Sequence, residues 1–135
     1  MADMNVVRQL AADYARLVDD FDLTGFEAIL TPDFHQRGEG FESRSREEFI
    51  AALEALRHYD RTFHLVGQSC GQWQGERYEG ETWSVASHLY RVDGVQRKMD
   101  MGVRYQELIV RSEGRWKYAH RHLDVVWSGD LPTRL

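Results

Sequence analysis

His64 stands in a short apolar run, between Phe63 and Leu65-Val66, where strand alternation would put it on one face with Val66 and Gln68. An imidazole that titrates near neutrality suits removal of a proton beside a carbonyl, provided a second group orients the ring. Asp19, at the C-terminal end of the first predicted helix, can supply that orienting carboxylate. The same two residues also read as a buried, hydrogen-bonded histidine and a solvated helix-end acid beside Asp20 and Asp22. Residues so remote along the chain form no motif, and spacing alone leaves both readings open.

His88 lies in a second β-rich segment, with Ser84, Ala86 and Tyr90 on its face. Such small neighbours leave room for a ligand and equally suit close packing of a helix. In the last β-rich segment, alternation places Trp116, Tyr118, His120 and His122 on one face and Lys117, Ala119, Arg121 and Leu123 on the other. Only one face can line a hollow, so either the two histidines or Arg121 would point at a ligand. His120 and His122 share a face as metal ligands can, yet no carboxylate motif completes a set, and no metal site is expected. Tyr14 precedes Asp19 by five positions, and its phenol could donate to a carbonyl or a leaving hydroxyl. Five helical positions are about 140° apart, so both reach one pocket only if Asp19 lies where the helix ends; otherwise Tyr14 belongs to the core stripe. Trp73, Trp83, Trp116 and Trp127 read as core or interface aromatics, and nothing calls for a cofactor.

Those side chains need a scaffold. Val6, Val7, Leu10, Ala11, Tyr14, Leu17 and Val18 recur at spacings of three and four, which predicts an amphipathic helix over 4–18 with Asp3 as N-cap. A shorter helix follows, capped by Thr24, with Phe26, Ile29 and Leu30 facing inward and Pro32 stopping it. Gly38 and Gly40 between aromatic ends predict a short hairpin or strand pair over 34–41. Ser45 and Glu48 form a capping box for a third helix carrying Phe49, Leu53 and Leu56 and ending near Arg57.

From Thr62 the period changes. Four β-rich segments, 62–73, 81–92, 95–111 and 115–127, are separated by turn signals at 75–80, Asp93-Gly94 and Glu113-Gly114. All exceed the ordinary strand of about 5 or 6 residues. They predict an antiparallel meander, strongly twisted, with Gly67, Gly71 and Gly102 as places for bulges. The expected fold is α+β, with N-terminal helices on the concave face of a curved antiparallel sheet and a pocket between them for one small, largely apolar molecule.

A chain of 135 residues with 42% apolar and 12% aromatic content can bury the core of one domain, 1–135. Its apolar runs are far shorter than the roughly 20 residues a membrane span needs. Residues 1–8 lack the basic start and apolar stretch of a signal peptide, so a cytoplasmic protein without membrane association is expected. Cys70 is the only cysteine, which excludes an internal disulfide and fits a reducing compartment. A net charge of −5 with no basic block argues against nucleic-acid binding. The outer face of so long a sheet would carry large apolar residues, which predicts a homo-oligomer.

Four stretches together carry a resemblance: 14–19, from Tyr14 to Asp19; 26–33, with Phe26 and Pro32-Asp33; 63–67, with Phe63-His64; and 114–121, with Gly114-Arg115-Trp116 and Arg121. In order and spacing they resemble the SnoaL-like branch of the NTF2-like superfamily, over nearly the whole chain. The resemblance implies a cone-shaped α+β domain with a pocket between helices and sheet. Within that branch the chain looks most like the scytalone dehydratases, the bacterial bile-acid dehydratases and the lindane dehydrochlorinase. Their His-Asp dyad falls on His64 and Asp19, the tyrosine of the bile-acid enzymes on Tyr14, and a second pocket histidine on or near His88. An arginine near the end of the last strand matches Arg121 and favours that face as the inner one. Ala119 and Arg121 stand where scytalone dehydratase has a serine and an asparagine. What this implies is a cofactor-independent, dehydratase-like lyase acting on a small cyclic or polyketide-like hydroxy-carbonyl substrate, as a trimer or dimer. An isomerase or cyclase using the same dyad, and a non-catalytic ligand-binding module, are the alternatives.

Overall fold

The computed structural model describes residues 3–134. Helix α1 (Met4–Asp19) is held at its start by Asp3, whose side chain accepts from the backbone N–H groups of Asn5 and Val6. Val7, Leu10, Leu17 and Val18 are buried along one stripe. Burial of such side chains is worth about 1.5–3 kcal/mol each, so this stripe fastens the helix to the sheet.

The second helix is a 3-10 helix, Leu23–Ala28, and its cap is Asp22 rather than Thr24. Asp22 Oδ1 accepts from the Thr24 backbone N–H at 3.2 Å and the Thr24 hydroxyl at 2.8 Å, because a carboxylate two residues upstream reaches both donors. Leu30 does not end this helix but begins strand β1 (Leu30–Gly38), which places Pro32 inside a strand. The proline falls where β1's pairing is interrupted between Leu30 and His35, so its missing N–H removes little from the ladder. Strand β2 (Phe41–Ser43) closes a hairpin through Gly40, at φ +84°. Ser45 Oγ then accepts from the Glu48 N–H at 3.1 Å and opens α2 (Arg46–Ala52), while the Glu48 carboxylate reaches back to the Arg44 N–H at 2.7 Å. The predicted third helix tightens after Ala52 into a 3-10 segment, Leu53–His58.

The four long strands are β3 (Arg61–Gln74), β4 (Arg77–Val92), β5 (Val95–Ser112) and β6 (Arg115–Pro132). The β3–β4 turn is only Gly75-Glu76, shorter than expected, because Gly75 takes φ +59° and lets Gln74 and Arg77 pair directly. Sheet order is β2-β1-β6-β5-β4-β3, curled and unclosed. The meander is antiparallel as expected, but β1 runs parallel to β6 and the sheet is mixed. The chain leaves the β1–β2 hairpin through α2, starts β3 at the far edge and returns to β1 with a strand of the same direction. Among the described residues no helix is long and apolar enough to cross a membrane. Phe63 and Leu65, 60% and 63% exposed, mark the outer face of the sheet.

Gly67 and Gly102 lie at register shifts, as predicted. Gly71 does not; it pairs squarely with Gly80. Its role is steric, since a Cβ there would stand 2.5 Å from both the Glu79 carbonyl oxygen and the Tyr78 hydroxyl. Gly71→Ala is therefore expected to cost about 1–3 kcal/mol in urea unfolding. Gly129→Ala, where a Cβ meets nothing within 4 Å, is the matched control.

Candidate active site

Asp19 is the last residue of α1, at the point where the backbone turns away through Phe21 at φ 51°. Its position at the helix end lets it share a site with Tyr14 despite their angular offset. Opposite it, alternation along β3 turns Thr62 and His64 to the concave face. Asp19 Oδ1 accepts from His64 Nδ1 at 2.7 Å and from the Thr62 hydroxyl at 2.9 Å; Oδ2 accepts from the His64 backbone N–H at 2.8 Å. The two side chains are thus hydrogen-bonded, and the Thr62 hydroxyl is a further donor to the same carboxylate. Thr62 went unread in the sequence although its signal was there, two residues before His64 on the same face.

Burial pushes the Asp19 carboxyl up, but the His64 ring, its backbone N–H, its charge and Thr62 together outweigh burial and hold it below the ordinary value. An ionised carboxylate only accepts, so the proton between the pair sits on His64 Nδ1 and Nε2 carries the lone pair. The His64 side chain is 9% exposed, and Nε2 has no hydrogen-bond partner among the described residues. For a carboxyl shifted downward, the stabilisation is complete above the unfolded value of about 3.9 and is lost as pH falls through the folded value. The urea-midpoint gap between wild type and Asp19→Asn should accordingly shrink as pH drops below 4 or so; a gap that persists unchanged would contradict the bonding described.

Tyr14, 7% exposed, presents its ring edge to His64 with centroids 6.5 Å apart. The Arg121 guanidinium lies over the Tyr14 ring, 4.5 Å from its centroid. Arg121 does face inward, and the reason corrects the predicted alternation. Ile109 pairs with Tyr118 and Leu108 with His120, so Ala119 is left over as a bulge. Tyr118 and Arg121, three apart, therefore both point into the core, at 0% and 1% exposure. His120 and His122 are left on the other side, the His120 ring 5.0 Å from that of His35.

Arg121 is not an open contact. Its Nε and Nη2 both reach Glu107 Oε2, at 3.1 and 2.9 Å, and Glu107 itself is 4% exposed. The rings of Tyr105 and Tyr118 lie 3.9 and 4.3 Å from the guanidinium carbon. Burial pushes both phenols well above the ordinary value, so these rings stay neutral. Glu107 Oε1 accepts from the Thr82 hydroxyl at 2.6 Å, which is linked in turn to Ser69 at 2.7 Å. Tyr14 thus neighbours both the Arg121 guanidinium and the His64 ring. Glu107 was missed in the sequence; a lone carboxylate on the apolar row Val103, Tyr105, Ile109 was the signal.

His88 lies on the same concave face, cross-strand from Thr62 and one diagonal step from His64. It is 6% exposed, with Nδ1 3.2 Å from the Met99 carbonyl oxygen and the Tyr59 ring 4.9 Å away. Burial is the main cause holding its pKa below the ordinary value, helped by the neighbouring His64; Met99, Asp100 and Asp19 oppose it.

A cavity of about 470 Å³ reaches the dyad from the carboxylate side, bounded by Asp19 and Thr62 with Val18, Phe21, Leu56 and Tyr59. Arg57, Asp60 and Arg61 complete its wall, so this opening is more polar than the apolar pocket expected. On the concave face itself the cross-strand row His64, Ala86, Met101, Ser128 runs from the dyad to an exposed end.

A family profile for the SnoaL-like domain matches residues 1–122. No curated protein matches this sequence. Among solved structures, the Kfla4162 protein from Kribbella flavida superposes with a TM-score of 0.86 at 18% identity, over 94% of this chain and 93% of its own. A protein from Novosphingobium aromaticivorans described as a candidate scytalone dehydratase gives 0.85 at 19% identity, over 97% and 89%. A hexachlorocyclohexane dehydrochlorinase, LinA type 2, gives 0.82 at 16%, over 94% and 87%. At these identities the likeness establishes the fold.

Proposed function

The chain belongs to the SnoaL-like domain family, and from that premise we propose that it is a cofactor-independent lyase eliminating water, or another leaving group, from a small cyclic or polyketide-like hydroxy-carbonyl compound. The observation that carries the reading is the 2.7 Å contact between Asp19 and His64 Nδ1, which leaves Nε2 as an unbonded base. Many domains of this architecture only bind ligands; a charged acceptor anchored by three donors at one imidazole favours chemistry instead.

In the proposed reaction, Nε2 removes the proton from the carbon next to the carbonyl, and the Asp19 carboxylate stabilises the imidazolium that forms. The enolate then re-forms the carbonyl, a carbon–carbon double bond appears, and the carbon–oxygen bond to the leaving hydroxyl breaks. The same Nε2 returns its proton to that oxygen, so one water departs and the enzyme is restored. The Tyr14 hydroxyl, unbonded among the described residues, is the donor for the carbonyl oxygen as charge develops on it. Arg121 acts through Tyr14, its cation polarising the ring without meeting substrate.

The test is an incubation with β-hydroxy cyclic ketones, read by the enone absorbance and by product mass. Loss of one water supports a lyase. A product of unchanged mass assigns the dyad to an isomerase or cyclase, and ligands that bind without conversion would leave only a binding module.

A further inference from the structure

Thr62 takes no part in the proposed proton transfers, yet among the described residues it is the one side chain besides His64 that bonds to Asp19. Its Oγ1 lies 2.9 Å from Asp19 Oδ1, and an ionised carboxylate only accepts, so the hydroxyl hydrogen is committed to that oxygen. The carboxylate has physical reasons to leave the pair. It stands at the C-terminal end of α1, where the negative pole of the helix dipole disfavours a charged acid. Its side chain is 22% exposed and, together with Thr62, walls the cavity of about 470 Å³, so water competes for its oxygens. Oδ2 is tied to the His64 backbone N–H at 2.8 Å, and rotation about that tie is opposed only by the donors on Oδ1. One of those donors is the reacting ring; the other is the Thr62 hydroxyl.

We infer that Thr62 is a positioning residue: its hydroxyl, rather than its packing, keeps Asp19 Oδ1 against His64 Nδ1 while the imidazolium forms. This rests on the proposed lyase reading and deepens it, since Thr62 acts only through the carboxylate. Burial opposes ionisation of Asp19, and His64 and Thr62 together hold the carboxyl below its ordinary value, so removing the hydroxyl should release part of that shift upward. The other charged or titratable groups around the pair are Tyr14 on α1, Arg57, Asp60 and Arg61 at the cavity, His88 on β4 and Tyr105 on β5. A substitution at position 62 leaves all of them in place.

The experiment compares Thr62→Val, which keeps the branched shape without the hydroxyl, with Thr62→Ser, which keeps the hydroxyl without the branch. By carbon-13 NMR, the Asp19 carboxyl of the valine variant should titrate higher than in wild type by about half a pH unit or more. The serine variant should match wild type. On a hydroxy-ketone that wild type converts, Thr62→Val should lower kcat roughly tenfold with KM little changed, and Thr62→Ser should restore most of the rate. Thr62→Ala serves as the hydroxyl-free variant if valine does not pack. A packing role predicts the opposite order, serine impaired and valine normal, and that order overturns the inference. An Asp19 titration, or a kcat, that loss of the hydroxyl does not move overturns it as well. If the titration moves as stated while wild type converts no hydroxy-ketone, the positioning stands and the lyase reading falls.

Discussion

His64→Ala should lower kcat by about 100- to 10,000-fold, the usual contribution of a positioned base, with the chain still folded. The fold should survive because the substitution deletes one of three donors to Asp19. The Thr62 hydroxyl and the residue-64 backbone N–H remain on the carboxylate, at 2.9 and 2.8 Å. The carboxylate therefore stays paired and its burial is not left uncompensated. Catalysis has no such reserve. His88 is the other imidazole on this face, but burial disfavours its protonated form and its Nδ1 faces the Met99 carbonyl rather than a carboxylate, so it is a poor replacement for His64 as the base beside the carbonyl. Turnover that survived in His64→Ala at the wild-type rate would place the base elsewhere and remove the chemical reading of the dyad.

The second large effect is on stability. Glu107→Leu should destabilise the protein by about 3–5 kcal/mol, the range for stripping a buried charge of its partner. Arg121, 1% exposed and ringed by Tyr14, Tyr105 and Tyr118, cannot turn to solvent to recover a counter-charge. Thr82 would also lose its acceptor at 2.6 Å. Arg121→Met combined with Glu107→Leu should regain most of the loss, since a buried ion pair exchanged whole for apolar groups is often neutral. A double-mutant cycle in urea measures the coupling. If Glu107→Leu unfolds at the wild-type midpoint, the pair is not the closed unit described, and Tyr14 owes its placement to packing alone.

Legibility followed the range of each interaction. The α1 stripe and its Asp3 cap were readable because a helix repeats every 3.6 residues and its cap is a neighbour. The boundaries that moved lie where a local preference met a tertiary one. Thr24 can cap, but Asp22 caps better from two residues upstream. Pro32 stops helices, yet here it sits in β1, where the interrupted pairing asks nothing of its missing N–H. Gly71 looked like a bulge and is instead the point where Tyr78 and the Glu79 carbonyl pass too close for a Cβ.

Ala119 shows most clearly what alternation alone omits. Counting by two from Trp116 put Tyr118 with His120 and His122, and one unpaired residue reversed the faces beyond it. No residue type marks that bulge, because it arises from register between β5 and β6 and not from either strand's own pattern. The parallel pairing of β1 with β6 is of the same kind: it depends on where the chain starts β3.

By itself, then, the sequence determined the helical and strand periods, the order of the elements, and a short list of groups able to move or hold a proton: Tyr14, Asp19, His64, His88 and Arg121. Tertiary structure alone decided that Asp19 and His64 bond through Nδ1, that Arg121 is paired with Glu107 beside Tyr14, and that His88 turns Nδ1 to the Met99 carbonyl. The physical reason is that periodicity records which side of an element a residue occupies, whereas tautomer, charge partner and reach depend on atoms from strands brought together only by folding.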